Sequence, residues 1–451
     1  MPLKVLLVNA PNEVVNRNAS NYACYPHIGI VQLATAVRAR FGDRIAVEVI
    51  DGGISRTDAV QERVARAAPD VLGISALTPT YGEALKIAET GKRAGATVVL
   101  GDDHSGFFPE LILARRPFVD YVVANDMGEQ PFAELIACLL GERHVEDVSS
   151  LVFRDADGRV RTNPAPKYRL ADHNTIPDLG LIEDTLATYT ENYRGPFGHL
   201  HGHEITPITV NNARGCENGR RRCTYCSIAD LSVNTGTPKE FWRTIEAYHE
   251  AFGINLFFEV YDSFTASPRY VDALIDEVPP GLRRKLEERE IELMVYARAL
   301  GLTKRDNVEK CRRLGVSRVN IGLDAADPEM LEAQRKNKTT DQTNLDAIRR
   351  LNQAGISVHA SYIAGAPGET PESLARTIAG IRRMLGEVEL ASVEFSRFIP
   401  LPNSPAWDIL TDAEAPVFFK DRADGEHALA QIAEVDDVVT QHNVRTGKNV
   451  G

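Results

Sequence analysis

Three cysteines inside eleven residues are the part of this 451-residue chain best equipped for chemistry: Cys216, Cys223 and Cys226 in ARGCENGRRRCTYCSIADL. Thiolates of this kind hold iron-sulfur clusters, and one short loop can supply several at once. Three ligands instead of four leave one iron of a [4Fe-4S] cluster open to a cofactor or substrate. Zinc also accepts a Cys-x-x-Cys pair, with HLHGHE at 199–204 as a source of histidine, so spacing alone leaves both metals open. The other three cysteines, Cys24, Cys138 and Cys311, read as packing or spare thiols. Six in all are too few and too scattered for a secreted disulfide framework, which points to a reducing cytoplasm.

The elements around this loop read as α/β. From Val5 to about Leu140, apolar runs such as KVLLVNA, AVEVIDG, DVLGIS, TVVLGDD and YVVAND alternate with amphipathic stretches. Continuous apolar strands separated by helices imply a parallel sheet covered on both faces, so residues 1–140 are expected to form a doubly wound domain. Its ligands belong at the carboxyl ends of the strands. Residues 141–204 read as a connector, with a hairpin around Asp157-Gly158. From Ile205 six strands recur: ITPITVNN, NLFFEVYDSF, ELMVYARA, VSRVNIGLD, ISVHASYIAG and ELASVEFSRF. They predict a partial (β/α)6 barrel over 205–400, reactive at the strand ends, with the cysteine loop after its first strand. Residues 401–451 form a C-terminal extension with a polar tail.

Composition narrows the partners. The 51 basic and 63 acidic residues give a net charge of −12, which argues against nucleic acid and anionic membrane surfaces. The opening MPLKVLLVNAPNEVV reads as a strand and not a signal peptide, and no run approaches the ~20 apolar residues of a membrane helix. A small-molecule substrate remains.

The sequence resembles the radical S-adenosylmethionine (SAM) superfamily, in the branch with an N-terminal cobalamin-binding-type domain. The likeness rests on Arg214-Gly215-Cys216, on Tyr225 before the third cysteine, and on GINLFFEVYDSF, VYARAL, VNIGLDAADPEML, NKTT and GISVHASYIAGAPGET in family order. It extends to VVLGDDHSGFFPELILARRPFVDYVVANDMGEQPFAEL in the first domain. The resemblance implies that Cys216, Cys223 and Cys226 bind a [4Fe-4S] cluster whose open iron is chelated by SAM, and that an electron from a reductase or flavodoxin-type donor yields a 5′-deoxyadenosyl radical. Tyr225 and Gly365 would lie near the adenine, Asp262 and Asp324 near the amino group and ribose, and Arg298 near the carboxylate. Six residues stand between the first two cysteines where the family commonly has three; GRRR within them reads either as a solvated face or as a contact for a reductase or the cofactor carboxylate. Asp262 and Asp324 also suit helix N-caps, and Gly365, Pro367 and Gly368 a tight turn. Glu369 suits a helix N-terminus by charge.

Glu259, His359, Glu394 and Arg397 lie on strands where they would face the barrel interior; of these Glu259, His359 and Glu394 are the candidate catalytic groups for an amine- or hydroxyl-rich substrate. Cobalamin is a possible further cofactor, which the family holds between its two domains. Where the family has Gly-Gly-Pro-His, this chain has Gly101-Asp102-Asp103-His104, and two carboxylates there would crowd a corrin unless they turn away. Without cobalamin the resemblance shifts to radical dehydratases, such as the diol dehydratase of the apramycin pathway that acts on an amino sugar, and dehydration or rearrangement is the leading expectation. With cobalamin it implies C-methylation. A non-catalytic zinc- or cluster-binding protein is the reading from another class.

Overall fold

The structure, a computed structural model, describes residues 1–12, 23–124, 127–166, 169–170, 175–304, 306–336, 338–398 and 401–407. The polar tail expected after the barrel lies outside these. The chain divides into two compact units, the first ending at Asn192 and the second beginning at Tyr193, where the sequence had placed a connector over 141–204.

The first unit is built on seven strands: β1 (Leu3–Asn9), β2 (Ile45–Asp51), β3 (Val71–Ser75), β4 (Thr97–Gly101), β5 (Tyr121–Val123), β6 (Leu151–Arg154) and β7 (Val160–Thr162). They are ordered β2-β1-β3-β4-β5-β6-β7. β1 to β5 run parallel, as their unbroken apolar runs require. Leu6, Val8, Leu72, Ile74, Val98 and Leu100 pack into one core with Val60, Val64, Ala84 and Ile87 of the helices Thr57–Ala67 and Tyr81–Arg93. The expected Asp157-Gly158 hairpin exists, but it is β6 and β7, joined antiparallel to β5 as an extension of this sheet. Hairpin signals are local and do not say which sheet edge a hairpin will join. The strand order reverses between β1 and β3, which places the ligand crevice of such a fold outside their carboxyl ends.

The second unit contains β8 (Pro207–Val210), the two-residue pair β9 (Ala213–Arg214) and β10 (Asn234–Thr235), then β11 (Leu256–Glu259), β12 (Glu292–Tyr296), β13 (Val316–Asp324), β14 (Ser357–Ala364) and β15 (Ser392–Arg397). β8, β11, β12, β13, β14 and β15 form one parallel sheet in chain order, as expected for a partial barrel. Helices begin where the sequence provides caps: Thr237, Ser267 and Thr370 each accept a backbone N–H from the first turn, and each is followed by proline. No helix among the described residues is long and apolar enough to cross a membrane.

Candidate active site

The cysteine loop leaves β8 and is closed at its neck by β9 pairing antiparallel with β10. Gly215 opens the loop with φ +83°, and a Cβ there would fall 2.2 Å from the Ser232 carbonyl oxygen. Gly219 is pressed on Leu231 in the same way, at 2.4 Å. The two halves of the loop therefore touch backbone to backbone, which only glycine permits. Asp262, after β11, accepts the Gly215 N–H at 2.7 Å and fastens the neck to the sheet. It is not a helix cap, since Ser267 caps the next helix. Burial raises its carboxyl above the ordinary range.

Within the loop the thiols share partners. The Asn218 backbone N–H points at Cys216 Sγ at 3.4 Å, and its amide Nδ2 at Cys223 Sγ at 3.9 Å. The Cys223-x-x-Cys226 turn is closed by Cys226 N donating to the Cys223 carbonyl. Thr224 inside that turn donates through Oγ1 to the Ala333 carbonyl at 2.7 Å and through its N–H to Gln334, so the turn is pinned to the end of helix Pro328–Ala333. Burial, then the neighbouring Glu217, pushes the Cys216 thiol up to about 12; burial also raises Cys226. Thiols held this way ionise when a cation binds them. Burial drives the Tyr225 phenol well above its ordinary value, with Cys223 and Cys226 adding to the effect.

These residues fit a [4Fe-4S] cluster better than zinc. Three free thiols on one loop match a [4Fe-4S] cluster with one open iron, whereas a structural zinc ion needs a fourth ligand from elsewhere. The histidine best placed on the connector is also committed: His201 Nδ1 is 2.8 Å from Glu292 Oε2 and its Nε2 3.0 Å from the Tyr193 hydroxyl. That histidine, on the segment read from sequence as a connector, is buried at the foot of β12, with a side chain 2% exposed.

The other expected cofactor residues lie at or just after the ends of β12, β13 and β14. Arg298, after β12, reaches Glu217 at 3.5 Å and donates to the Lys336 carbonyl at 3.3 Å. Asp324 ends β13 with φ +64° and is buried; it forms an ion pair with Lys336, whose Nζ also donates to the Gly322 carbonyl at 3.0 Å. The following helix is capped by Asp327, so Asp324 is not its cap either. Gly365 has φ +80° with open space where a Cβ would project, and Gly368 has φ +90°. Glu369 folds back to accept the Gly365 N–H, while Thr370 and Ser373 cap the helix that sequence reading gave to Glu369. Burial raises the Glu369 carboxyl to about 7. Of the arginine run, Arg220 and Arg221 are exposed, whereas Arg222 is braced by the Ile228 carbonyl and Asn403.

Strand alternation sorts the proposed catalytic residues. The register aligns Tyr296 with Asn320, Asn320 with His359, and Ser361 with Glu394, which puts them on one face with Phe258, whose ring lies 5.0 Å from that of Tyr296. His359 Nε2 is 3.5 Å from Glu394 Oε2, its Nδ1 is 2.7 Å from Ser392 Oγ, and Ser396 donates to Glu394. Burial keeps His359 below its ordinary value. Burial works to raise Glu394 as well, but the contacts with His359 and Ser396 outweigh it and leave the carboxyl lowered. Glu259 does not join them. It pairs in register with Val210 and Val295 on the opposite face, accepts the Asn212 N–H at 3.0 Å, and is raised to about 8 by burial. Arg397 falls on that face too, and is exposed. A one-residue offset sends a side chain to the other side of a sheet, and sequence had no register to count from. Sequence reading missed Lys336 and Asn218; NKTT marked the neighbourhood of the first, and position two after Cys216 the second.

In the first unit, Asp102 adopts φ 75° and ψ 177°, a conformation rarely open to side chains. Its carboxylate folds back, accepting Ser75 Oγ at 2.5 Å and the Asp103 N–H at 2.8 Å. The space beside Gly101 is open. His104 lies 4.1 Å from the Tyr81 ring, with Nδ1 3.2 Å from Thr78 Oγ1, and burial lowers its pKa.

Comparison with known proteins agrees with this division. The Radical SAM superfamily model matches residues 211–379, and the B12 binding domain model matches 17–136. An uncharacterized methyltransferase of Pyrococcus horikoshii is 26% identical over 419 residues, 90% of this chain and 83% of that protein. The anaerobic magnesium-protoporphyrin IX monomethyl ester cyclase of Cereibacter sphaeroides is 26% identical over 400 residues, and this chain spans 61% of its length and 86% of its own. Among solved structures, the cobalamin-dependent S-adenosylmethionine radical enzyme OxsB with aqua-cobalamin and S-adenosylmethionine bound superposes with a TM-score of 0.71 at 17% identity, over 96% of this chain and 67% of that one. The radical S-adenosylmethionine methyltransferase TsrM from Kitasatospora setae, with cobalamin and a [4Fe-4S] cluster bound, gives 0.66 at 19% identity, over 94% and 83%.

Proposed function

We propose that this chain, a radical SAM enzyme that joins a B12-binding domain to a radical SAM domain, is a cobalamin-dependent methyltransferase acting on a carbon of a small polar molecule. The observation that carries the reading is the Asp102 carboxylate folded onto Ser75, which leaves the Gly101 strand end open. Of the two carboxylates expected to crowd a corrin, Asp102 and Asp103, the first is turned back onto Ser75 and the Asp103 N–H. The methyltransferase among the relatives, spanned over most of its length, points the same way.

When bound, the cluster supplies the electron that cleaves SAM and cobalamin supplies the methyl group. The residues of this chain do the rest. Cys216, Cys223 and Cys226 hold the cluster; Arg298 offers a cation to the SAM carboxylate, and Gly365 gives its ring system backbone clearance. Glu394 and His359, 3.5 Å apart, present an acceptor and a proton carrier to a hydroxyl or amine of the substrate.

Anaerobic reconstitution with iron, sulfide and hydroxocobalamin, then desalting and metal analysis, tests the proposal. The expected result is about one cobalt and four irons per chain, with S-adenosylhomocysteine formed on turnover with dithionite. A filled cluster with no retained cobalt overturns methyl transfer and restores dehydration or rearrangement.

A further inference from the structure

From the last residue of helix Pro328–Ala333 the chain grips the cysteine loop at residues 333, 334 and 335, and at 336 it holds Arg298. Ala333 and Gln334 take the two donors of Thr224; the Arg335 carbonyl accepts from Asn218 Nδ2 at 3.3 Å; the Lys336 carbonyl accepts from Arg298. Asn218 is the residue aimed at the sulfurs of Cys216 and Cys223. At the end of this grip Lys336 turns inward, with a side chain 8% exposed, to the Gly322 carbonyl and to Asp324, itself 3% exposed. A lysine is seldom this deeply buried, because its ammonium loses its water. This buried ammonium, fixed by a carboxylate, belongs to the residue next to Arg335, whose carbonyl holds the asparagine that points at two of the thiols. Burial lowers the pKa of the Lys336 ammonium, and Cys223, Cys216 and Cys226 work against that lowering.

We propose that Lys336 is a positioning residue for electron entry: its ammonium, anchored by Asp324, favours the reduced state of the cluster held by the three cysteines. The inference rests on the radical SAM reading and on the cluster, not on cobalamin or methyl transfer. In the step concerned, one electron passes from a low-potential one-electron reductant to the oxidised cluster, whose net charge becomes more negative by one. No bond is made or broken in the protein. A nearby positive charge stabilises the added electron, since cluster potentials follow net charge and local polarity. The proposal says nothing of the physiological donor, and dithionite serves in the test.

The experiment is a redox titration of the reconstituted protein, followed by electron paramagnetic resonance of the reduced cluster, with iron and sulfide counted first. Lys336→Met is expected to lower the reduced-to-oxidised ratio at fixed potential at least tenfold, a displacement of 59 mV for one electron. Lys336→Arg keeps the charge and should hold the ratio within about twofold. Because Lys336→Met also strands Asp324, the pair Lys336→Met/Asp324→Asn is measured beside it; this double variant also keeps the test available if the single variant fails to load. A double variant still well below the wild-type ratio supports the lysine as the source of the effect. A loaded Lys336→Met with unchanged potential, or a double variant that returns to wild type, overturns it. Loss of the cluster in both neutral variants with Lys336→Arg fully loaded would make Lys336 a structural clamp, and overturns it too. If no cluster forms in any variant or in wild type, the radical SAM reading fails first.

Discussion

Gly215→Ala puts the cysteine loop under the sharpest strain a single methyl group can apply. The residue sits at φ +83°, where an L side chain costs about 1–2 kcal/mol. The new Cβ would also lie 2.2 Å from the Ser232 carbonyl and 3.2 Å from that of Asp230, both backbone atoms that cannot swing aside. Separating the two halves of the loop pulls Gly215 N–H from the Asp262 carboxylate, a charged hydrogen bond worth about 1.5–3 kcal/mol. Together the costs reach about 2.5–5 kcal/mol, and at 1.4 kcal/mol per tenfold the framed loop becomes roughly sixty- to four-thousandfold rarer. The assay is iron and sulfide content after anaerobic reconstitution, with circular dichroism to show that both sheets survive. Gly253→Ala is the control: it shares a positive φ, +65°, but faces open space, so it should cost only the conformational penalty and load normally. A Gly215→Ala protein with a full cluster and unchanged melting temperature would refute the close approach.

Two further outcomes follow from buried charge and strain. Glu292 meets opposition from burial, but His201, Ser317 and His203 together hold its carboxyl below the ordinary range. Its contribution to stability is therefore complete above the unfolded carboxylate value near ~4.3 and is lost as the pH falls through the lower folded value. Glu292→Gln should flatten the acid side of a melting-temperature profile, and an unchanged acid limb would rule the pair out as its source. At Asp102 the backbone favours glycine, with about 1–3 kcal/mol of strain, while the capping carboxylate returns about 0.5–2 kcal/mol. Asp102→Gly should melt within a few degrees of wild type and retain cobalt equally, whereas Asp102→Ala keeps the strain, loses the Ser75 bond and melts lower; equal melting of the two would show that the strain is absent.

What the sequence made legible was what repeats along it. Six apolar runs at regular spacing gave the parallel sheet of the second unit strand for strand, and three cysteines on one loop needed no tertiary information to be noticed. The failures share one physical cause: they depend on which residues meet across long separations. Glu259 shares a strand position with His359 and Glu394 in sequence, but a single step of register sends it to the Asn212 N–H. A cap is a local device and was the rival reading of Asp324 and Asp262, expected near the cofactor; their partners, Lys336 and the N–H of Gly215, lie 12 and 47 residues away. The Asp157-Gly158 hairpin was recognised from its turn, while its place on the edge of the first sheet depends on β5, nearly thirty residues earlier.

The order of the second sheet bears on how the protein is assembled in time. In the six-stranded sheet β8, β11, β12, β13, β14 and β15 each pair with the next in that order, so the sheet can grow in the order of synthesis. The cysteine loop emerges almost at the start of that process. Its supports arrive later and in sequence: Asp262, then Arg298, then the 333–335 grip, and last Asn403 against Arg222 and Ser227. At about 5–20 residues per second, the roughly 180 residues between Cys226 and Asn403 take a ribosome about 10–40 s. Through that interval the thiols are present without their frame, so iron delivery belongs after translation, to a chain whose barrel is already complete.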